Sequence, residues 1–212
     1  MYILGLTGGM ASGKTTVAGF LRDCGATIVD ADKIVHDLQQ KGTPETQTIA
    51  AKLGPQVLAA DGSLSRPALA AAIQDDKSVL RFLEEVLHPA VRCEEHRQLE
   101  AAAQGGYDVA VLDIPLLFET DAHLLCDGVA VCHSPLEVRK QRAFERPGMS
   151  EAKWQNLLAR RWEDAKMLAH ADFVIDTHTS LEDTAEQVQA LYDYIKTEAH
   201  PEAPVWPLKW AK

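Results

Sequence analysis

Residues 8–15 read Gly-Gly-Met-Ala-Ser-Gly-Lys-Thr, so Gly8, Gly13, Lys14 and Thr15 satisfy G-x-x-x-x-G-K-[ST]. The chemistry of that spacing is phosphate binding. Glycines let backbone amides curl around an anion, and a helix directly after them adds the partial positive charge of its N-terminus. Lys14 is placed to reach the β- and γ-phosphates of a nucleotide, and the Thr15 hydroxyl to hold Mg²⁺. A carboxylate beside that metal is the next requirement, and Asp113 supplies one at the end of the apolar run Tyr107–Asp113.

Two missing motifs narrow the reaction. Guanine-reading proteins use Asn-Lys-x-Asp, whereas the single asparagine here, Asn156, is followed by Leu157. Asp113 is followed by Ile114 rather than by the glutamate many hydrolytic ATPases use to activate water. Phosphoryl transfer to another molecule remains. That chemistry needs a carboxylate to take the acceptor proton, mobile cations for the moving phosphoryl group, and exclusion of water. Asp32 is the candidate base and Asp30 the fallback, because Asp30-Ala31-Asp32 closes the second apolar run, at the strand end where open α/β sheets bind ligands. The cations are expected from residues 139–166, which hold eight basic and four acidic side chains in an otherwise acidic chain. Within that segment Arg142 and Arg146 stand one helical turn apart and are the candidates for ATP phosphates.

These residues must be carried by regular elements. Tyr2–Thr7, Ala26–Asp30, Tyr107–Asp113, Gly128–Cys132 and Asp172–Asp176 are continuous apolar runs, as expected for strands buried on both faces of a parallel sheet. Helical patterns alternate with them, among them Lys14–Cys24 and 181–196, the latter with Ser180 as N-cap. This alternation predicts a doubly wound, five-stranded α/β sheet. The stretch between the second and third strands is too long for one crossover and predicts an inserted helical subdomain over 37–90. A second helical appendage over 136–168, broken at Arg146-Pro147-Gly148-Met149, reads as a closing lid. The core then comprises 1–36, 91–135 and 169–199, and residues 200–212 form a tail whose Trp206 and Trp210 are expected to pack on the body.

Bulk properties set the outer limits. The chain has 212 residues, 46% hydrophobic and 25% charged, with net charge −10. An acidic chain disfavours nucleic acid as partner, and no apolar run approaches the ~20 residues a membrane span needs. The apolar N-terminus reads as a buried strand rather than a secretory signal. Cys24, Cys93, Cys126 and Cys132 are scattered and read as reduced, mostly buried thiols of a cytoplasmic protein.

Taken together, GLTGGMASGKTTVA, DADKIVHDL, DGSLSR, LHP, DIPLLFE and ADFVID resemble bacterial dephospho-CoA kinases, in that family's order and across residues 3–176. The resemblance implies a three-layer P-loop NTPase fold with a helical CoA domain and a helical lid. It implies transfer of the ATP γ-phosphate, with Mg²⁺, to the ribose 3′-hydroxyl of dephospho-CoA, by a monomer or weak homo-oligomer. By motif, Ala11, Ser12, Gly13, Lys14, Thr15 and Thr16 hold ATP phosphates, and Asp32 resembles the family's base. Arg66, His88, Leu116, Leu117, Phe118 and Glu119 fall on the acceptor side, and Arg142 resembles the lid arginine. Arg161 stands where the family often has glutamine, Pro147 where it has aspartate, and Thr177 where it has asparagine. Two rivals compete: a nucleoside-monophosphate-type kinase, disfavoured by the few basic residues in 37–90, and a non-catalytic nucleotide switch, which needs neither Asp32 nor Asp113.

Overall fold

A computed structural model describes residues 1–199, 201, 204–207, 209 and 210; positions 200, 202, 203, 208, 211 and 212 of the expected tail lie outside the described residues. The chain forms two compact units, Met1–Val29 with Ala101–Lys212, and Asp30–Glu100.

The first unit is built on a five-stranded, all-parallel sheet in the order β2-β3-β1-β4-β5. Its strands are β1 (Tyr2–Gly8), β2 (Thr27–Asp30), β3 (Val109–Asp113), β4 (Gly128–His133) and β5 (Phe173–Asp176). Each lies within two residues of its expected position, because a strand covered on both faces must be apolar throughout. All five residues of β3 are buried. β1 lies between β3 and β4, with Leu6 opposite both Asp113 and Ala130. α1 (Lys14–Asp23) and α9 (Leu181–Thr197) pack together, and Val17, Leu21, Val188 and Leu191 join Leu4, Leu6 and Val111 in one apolar core. Truncating one such leucine to alanine costs about 2–5 kcal/mol, a large share of the roughly 5–15 kcal/mol that holds a typical domain folded. α9 opens with the expected cap, elaborated into a reciprocal box between Ser180 and Asp183. Of the tail, Val205 and Trp210 are buried. The Val205 amide donates to Asp127 Oδ1 at 2.8 Å and the Trp210 indole to the Leu125 carbonyl at 3.2 Å. The expected packing of Trp210 is thereby found.

Three helical segments complete this unit: α6 (Leu136–Phe144), α7 (Glu151–Leu158) and α8 (Asp164–Ala169). The break between α6 and α7 falls at the expected Pro147-Gly148, where Gly148 adopts φ 76. No disulfide joins the cysteines, and only Cys132 is fully buried while Cys93 is exposed. The expectation of mostly buried thiols is thus corrected: only one of the four sits on a strand with both faces covered.

The second unit contains α2 (Ala31–Leu38), α3 (Pro44–Leu53), α4 (Arg66–Asp75) and most of α5 (Ser78–Gln104). Asp30, Thr43 and Ser65 cap the first three by accepting a first-turn amide, and Pro44 and Pro67 sit where a missing N–H costs nothing. Ile49, Val57, Leu64, Leu69 and Leu83 form its core. The Asp61-Gly62-Ser63 signal is a turn, with Asp61 accepting from the Ser63 amide at 2.9 Å and hydroxyl at 2.7 Å. Pro89 does not start a helix but lies inside α5, at an exposed position. The helix loses one backbone hydrogen bond there, to Glu85.

Glu95 is 1% exposed and pairs with Arg92 at 2.9 Å. Burial pushes its carboxyl above the usual carboxylate range, against the pull of Arg92. The folded chain therefore keeps this proton to higher pH than the unfolded chain does. The associated stability is present at acid pH and is lost as pH rises through the raised value. Glu95→Gln should therefore become more stable relative to wild type as urea denaturation moves from below to above the carboxylate range; a pH-independent difference would contradict this.

Candidate active site

The phosphate loop is built by the chain's exit from β1. A Cβ at Gly8 would lie 2.6 Å from both the Cys132 carbonyl and Ser12 Oγ, and one at Gly9 would collide with the Arg139 guanidinium. Backbone closes Gly8 to a side chain, and a Cβ at Gly9 requires the Arg139 guanidinium to move. Ala11 and Gly13 adopt φ 58 and φ 80, a left-handed alternation that turns successive amides towards one concavity. Lys14 begins α1, whose first turn has no side-chain cap; the Thr16 amide turns back to the Gly13 carbonyl at 2.9 Å. Ser12 Oγ is buried, and among the described residues it has no hydrogen-bond partner. An orphaned hydroxyl beside a left-handed turn at a helix N-terminus suits an anion.

Lys14 forms an ion pair with Asp113, their side chains only 19% and 9% exposed. The lysine that opens α1 thus meets the carboxylate that ends β3. Thr15 and Thr16 are both exposed on the first turn of α1. Among the described residues no group of three or more His, Cys, Asp or Glu could hold a metal. Mg²⁺ asks for less, since it is usually held by one or two protein groups together with phosphate oxygens and water. Thr15 and Asp113 fit that demand.

Beside the loop lies a cleft of about 350 Å³, with Ala11, Gly13 and Thr16 on its walls together with Arg142, Arg146 and Thr177. The two arginines singled out by helical spacing do share one cleft with the phosphate loop. Arg142 is half-buried and donates to the Thr177 carbonyl at 2.8 Å, while Arg146 is exposed. The Thr177 hydroxyl faces backbone. It reaches the carbonyls of Ser12 (2.6 Å) and His133 (2.9 Å), buttressing the loop from behind.

Two residues that sequence reasoning passed over as part of a basic run prove structural. Arg139 is 2% exposed. It donates to the Ser134 carbonyl at 2.9 Å, pairs with Asp164 and fills the space above Gly9. Trp162 stacks on Phe118, with ring centroids 5.0 Å apart and planes 9° from parallel. Its amide donates to Glu119 at 2.6 Å, and the Lys166 ammonium lies 3.3 Å from its ring centroid. Leu117 and Phe118 are therefore interior residues, 0% and 1% exposed, rather than an accessible wall; Leu116 is half-buried. Alternating burial in 114–119 carries no sequence mark, because PLLF reads equally as core or as pocket.

In the other unit, Asp30 spends its carboxylate as the N-cap of α2, accepting the Lys33 amide at 2.9 Å. Asp32, at the start of the same helix, is exposed. Arg66 opens α4 and His88 lies mid-way along α5, both exposed.

An all-parallel sheet whose central strand runs into a phosphate loop, with arginines from a later helical segment lining the same cleft, defines a P-loop phosphotransferase. A family model described as dephospho-CoA kinase matches residues 2–183. A dephospho-CoA kinase from Leifsonia xyli is 42% identical over 193 residues, covering 91% of this chain and 98% of its own. The crystal structure of TT1252 from Thermus thermophilus superposes with a TM-score of 0.76 at 29% identity, covering 91% and 96% of the two chains. Dephospho-CoA kinase from Campylobacter jejuni shares the fold, with a TM-score of 0.67, 23% identity and coverage of 91% and 96%. The chain belongs to the dephospho-CoA kinase family, ATP-using phosphotransferases of the last step of coenzyme A biosynthesis.

The contact between Gly9 and Arg139 makes a direct prediction. Gly9→Ala forces a buried guanidinium to move and should cost about 1–3 kcal/mol. ATP binding measured by calorimetry should weaken by roughly tenfold or more, since the loop moves with it. Unchanged affinity would mean that the loop tolerates a Cβ there.

Proposed function

We propose that the phosphate loop, Asp32 and the lid arginines together move the γ-phosphate of ATP onto the ribose 3′-hydroxyl of dephospho-CoA. The observation that carries this reading is the cleft shared by Gly13, Thr16, Arg142 and Arg146 beside the Lys14–Asp113 pair. In it a triphosphate lies along the amides of residues 11–16, with the Ser12 hydroxyl turned into the loop and Gly8 keeping the turn tight. Lys14 exchanges its carboxylate partner for the β- and γ-oxygens, where its charge counters the charge on the transferring group. Thr15 and the vacated Asp113 are the groups that would hold Mg²⁺. The bound ion would neutralise phosphate charge and fix the in-line geometry.

Asp32 takes the proton of the acceptor hydroxyl. Its exposure supports this role over Asp30, whose carboxylate already caps α2. Arg142 and Arg146 bring positive charge to the phosphates when residues 136–168 close, and closure excludes the water that would otherwise hydrolyse ATP. Arg66, His88, Leu116 and Glu119 are assigned to the acceptor side, Leu117 and Phe118 supporting them from the interior, with 37–90 as the CoA-binding domain. The net charge of −10 supports a small-molecule acceptor over nucleic acid. Among the described residues no helix is long and apolar enough to cross a membrane, and we place the enzyme in the cytoplasm as a monomer or weak homo-oligomer.

Turnover with dephospho-CoA, followed by coupled detection of ADP, tests the reading; turnover only with a different acceptor would sink it. Asp32→Asn should lower kcat by about 10²–10⁴ with ATP still bound, and wild-type turnover would remove Asp32 as base. Arg142→Ala should depress kcat more than dephospho-CoA affinity, because lid charge acts in the closed state. Equal loss of both would move Arg142 to the acceptor side.

A further inference from the structure

Arg161 lies in the short connection between α7 and α8, half-buried. Its Nη1 donates to the carbonyl of Gly8 at 2.7 Å and to that of Pro115 at 2.8 Å. Gly8 is the last residue of β1 and the first of the phosphate loop. Pro115 lies two residues beyond Asp113, and its carbonyl also accepts from the Thr7 hydroxyl at 3.2 Å. One nitrogen thus ties together the ends of the two strands that deliver Lys14 and Asp113.

The next residue fixes the tie in place. Trp162 is held by its stack on Phe118 and by the Glu119 carboxylate on its amide. Arg139 reaches the same neighbourhood from α6, packing over Gly9 and pairing with Asp164. Both ends of the lid segment are therefore anchored on the loop at consecutive residues, Gly8 and Gly9.

The carbonyls matter electrostatically as well. Each is a partial negative charge at the mouth of a loop that has to receive a triphosphate. A guanidinium donating to both satisfies them and replaces their repulsion with attraction.

We propose that Arg161 is a positioning residue for phosphoryl transfer: by bridging the Gly8 and Pro115 carbonyls, it sets the phosphate loop against the Asp113 strand and couples that geometry to the lid. This rests on the phosphotransferase reading of the same loop. Arg161 acts through the groups it holds. Its loss therefore misplaces Lys14 and Asp113 relative to each other, and a displacement on the order of 1 Å costs roughly 10²-fold in rate.

Two variants separate positioning from mere support. Arg161→Met keeps a long stem and removes every donor. Arg161→Gln restores an amide NH₂ with two donors, enough for both carbonyls. With dephospho-CoA and ATP as substrates, Arg161→Met should lower kcat about 10- to 100-fold, with KM for dephospho-CoA within about threefold of wild type. It should also raise the ADP formed per molecule of CoA product, because a misaligned phosphoryl group is lost to water. Arg161→Gln should be at least about tenfold faster than Arg161→Met. Wild-type kcat in Arg161→Met, or Arg161→Gln no faster than Arg161→Met, would overturn the proposal. Should Arg161→Met fail to fold, Arg161→Gln decides alone: kcat within about tenfold of wild type supports the bridge, and a greater loss overturns it. Wild-type protein measured alongside keeps the two readings apart, since failure of the phosphotransferase reading leaves wild type itself inactive.

Discussion

Lys14, at the start of α1, and Asp113, at the end of β3, form an ion pair, and the register of β1 on β3, with Leu6 opposite Asp113, brings the phosphate loop beside that carboxylate. Both side chains are largely out of water, so their pairing offsets part of the cost of keeping the charges there. Removing one partner of such a pair costs about 3–5 kcal/mol, because the remaining charge is stranded. The pair also keeps the loop ready. In the proposed mechanism it holds the lysine in the anion cradle until phosphate offers a better partner, and it keeps a carboxylate within reach of a metal-bearing nucleotide. The glycines and the Thr177 buttress on the Ser12 carbonyl keep the chain from Gly8 to Lys14 in one shape.

The arginines of the segment 136–168 divide by what they touch. Arg139 and Arg161 point inwards and are spent on backbone and carboxylate groups around Gly8, Gly9, Pro115 and Asp164. Arg142 and Arg146 line the open cleft. The segment is anchored near both ends by Arg139 and Arg161, while the turn at 145–150, with Pro147 and Gly148 both exposed, has the least to hold it. The inner arginines brace the loop; the outer ones are those proposed for the phosphates.

Much of this is written plainly in the sequence, for physical reasons. A strand with both faces covered must be apolar throughout, so β1, β3 and β4 stand out, and only a phosphate loop needs Gly8, Gly13, Lys14 and Thr15 together. Arg142 and Arg146 follow from helical spacing. Arg139 and Arg161 could not be told from solvated neighbours, since burial of an arginine depends on carbonyls and carboxylates distant in sequence: Pro115 is 46 residues from Arg161, and Gly8 is 153. Phe118 was legible as apolar but not as the partner of Trp162. Pro89 resembles a helix start and instead sits in a long helix, because an exposed proline costs one hydrogen bond that the rest of α5 outweighs.

Donation of the ATP γ-phosphate from this loop to the ribose of dephospho-CoA can be read directly by phosphorus NMR of the protein with ATP, Mg²⁺ and dephospho-CoA. The expected result is a new phosphomonoester resonance on the 3′ position, growing in equal amount with ADP. ADP accompanied only by inorganic phosphate, or a phosphomonoester at another position, would contradict it.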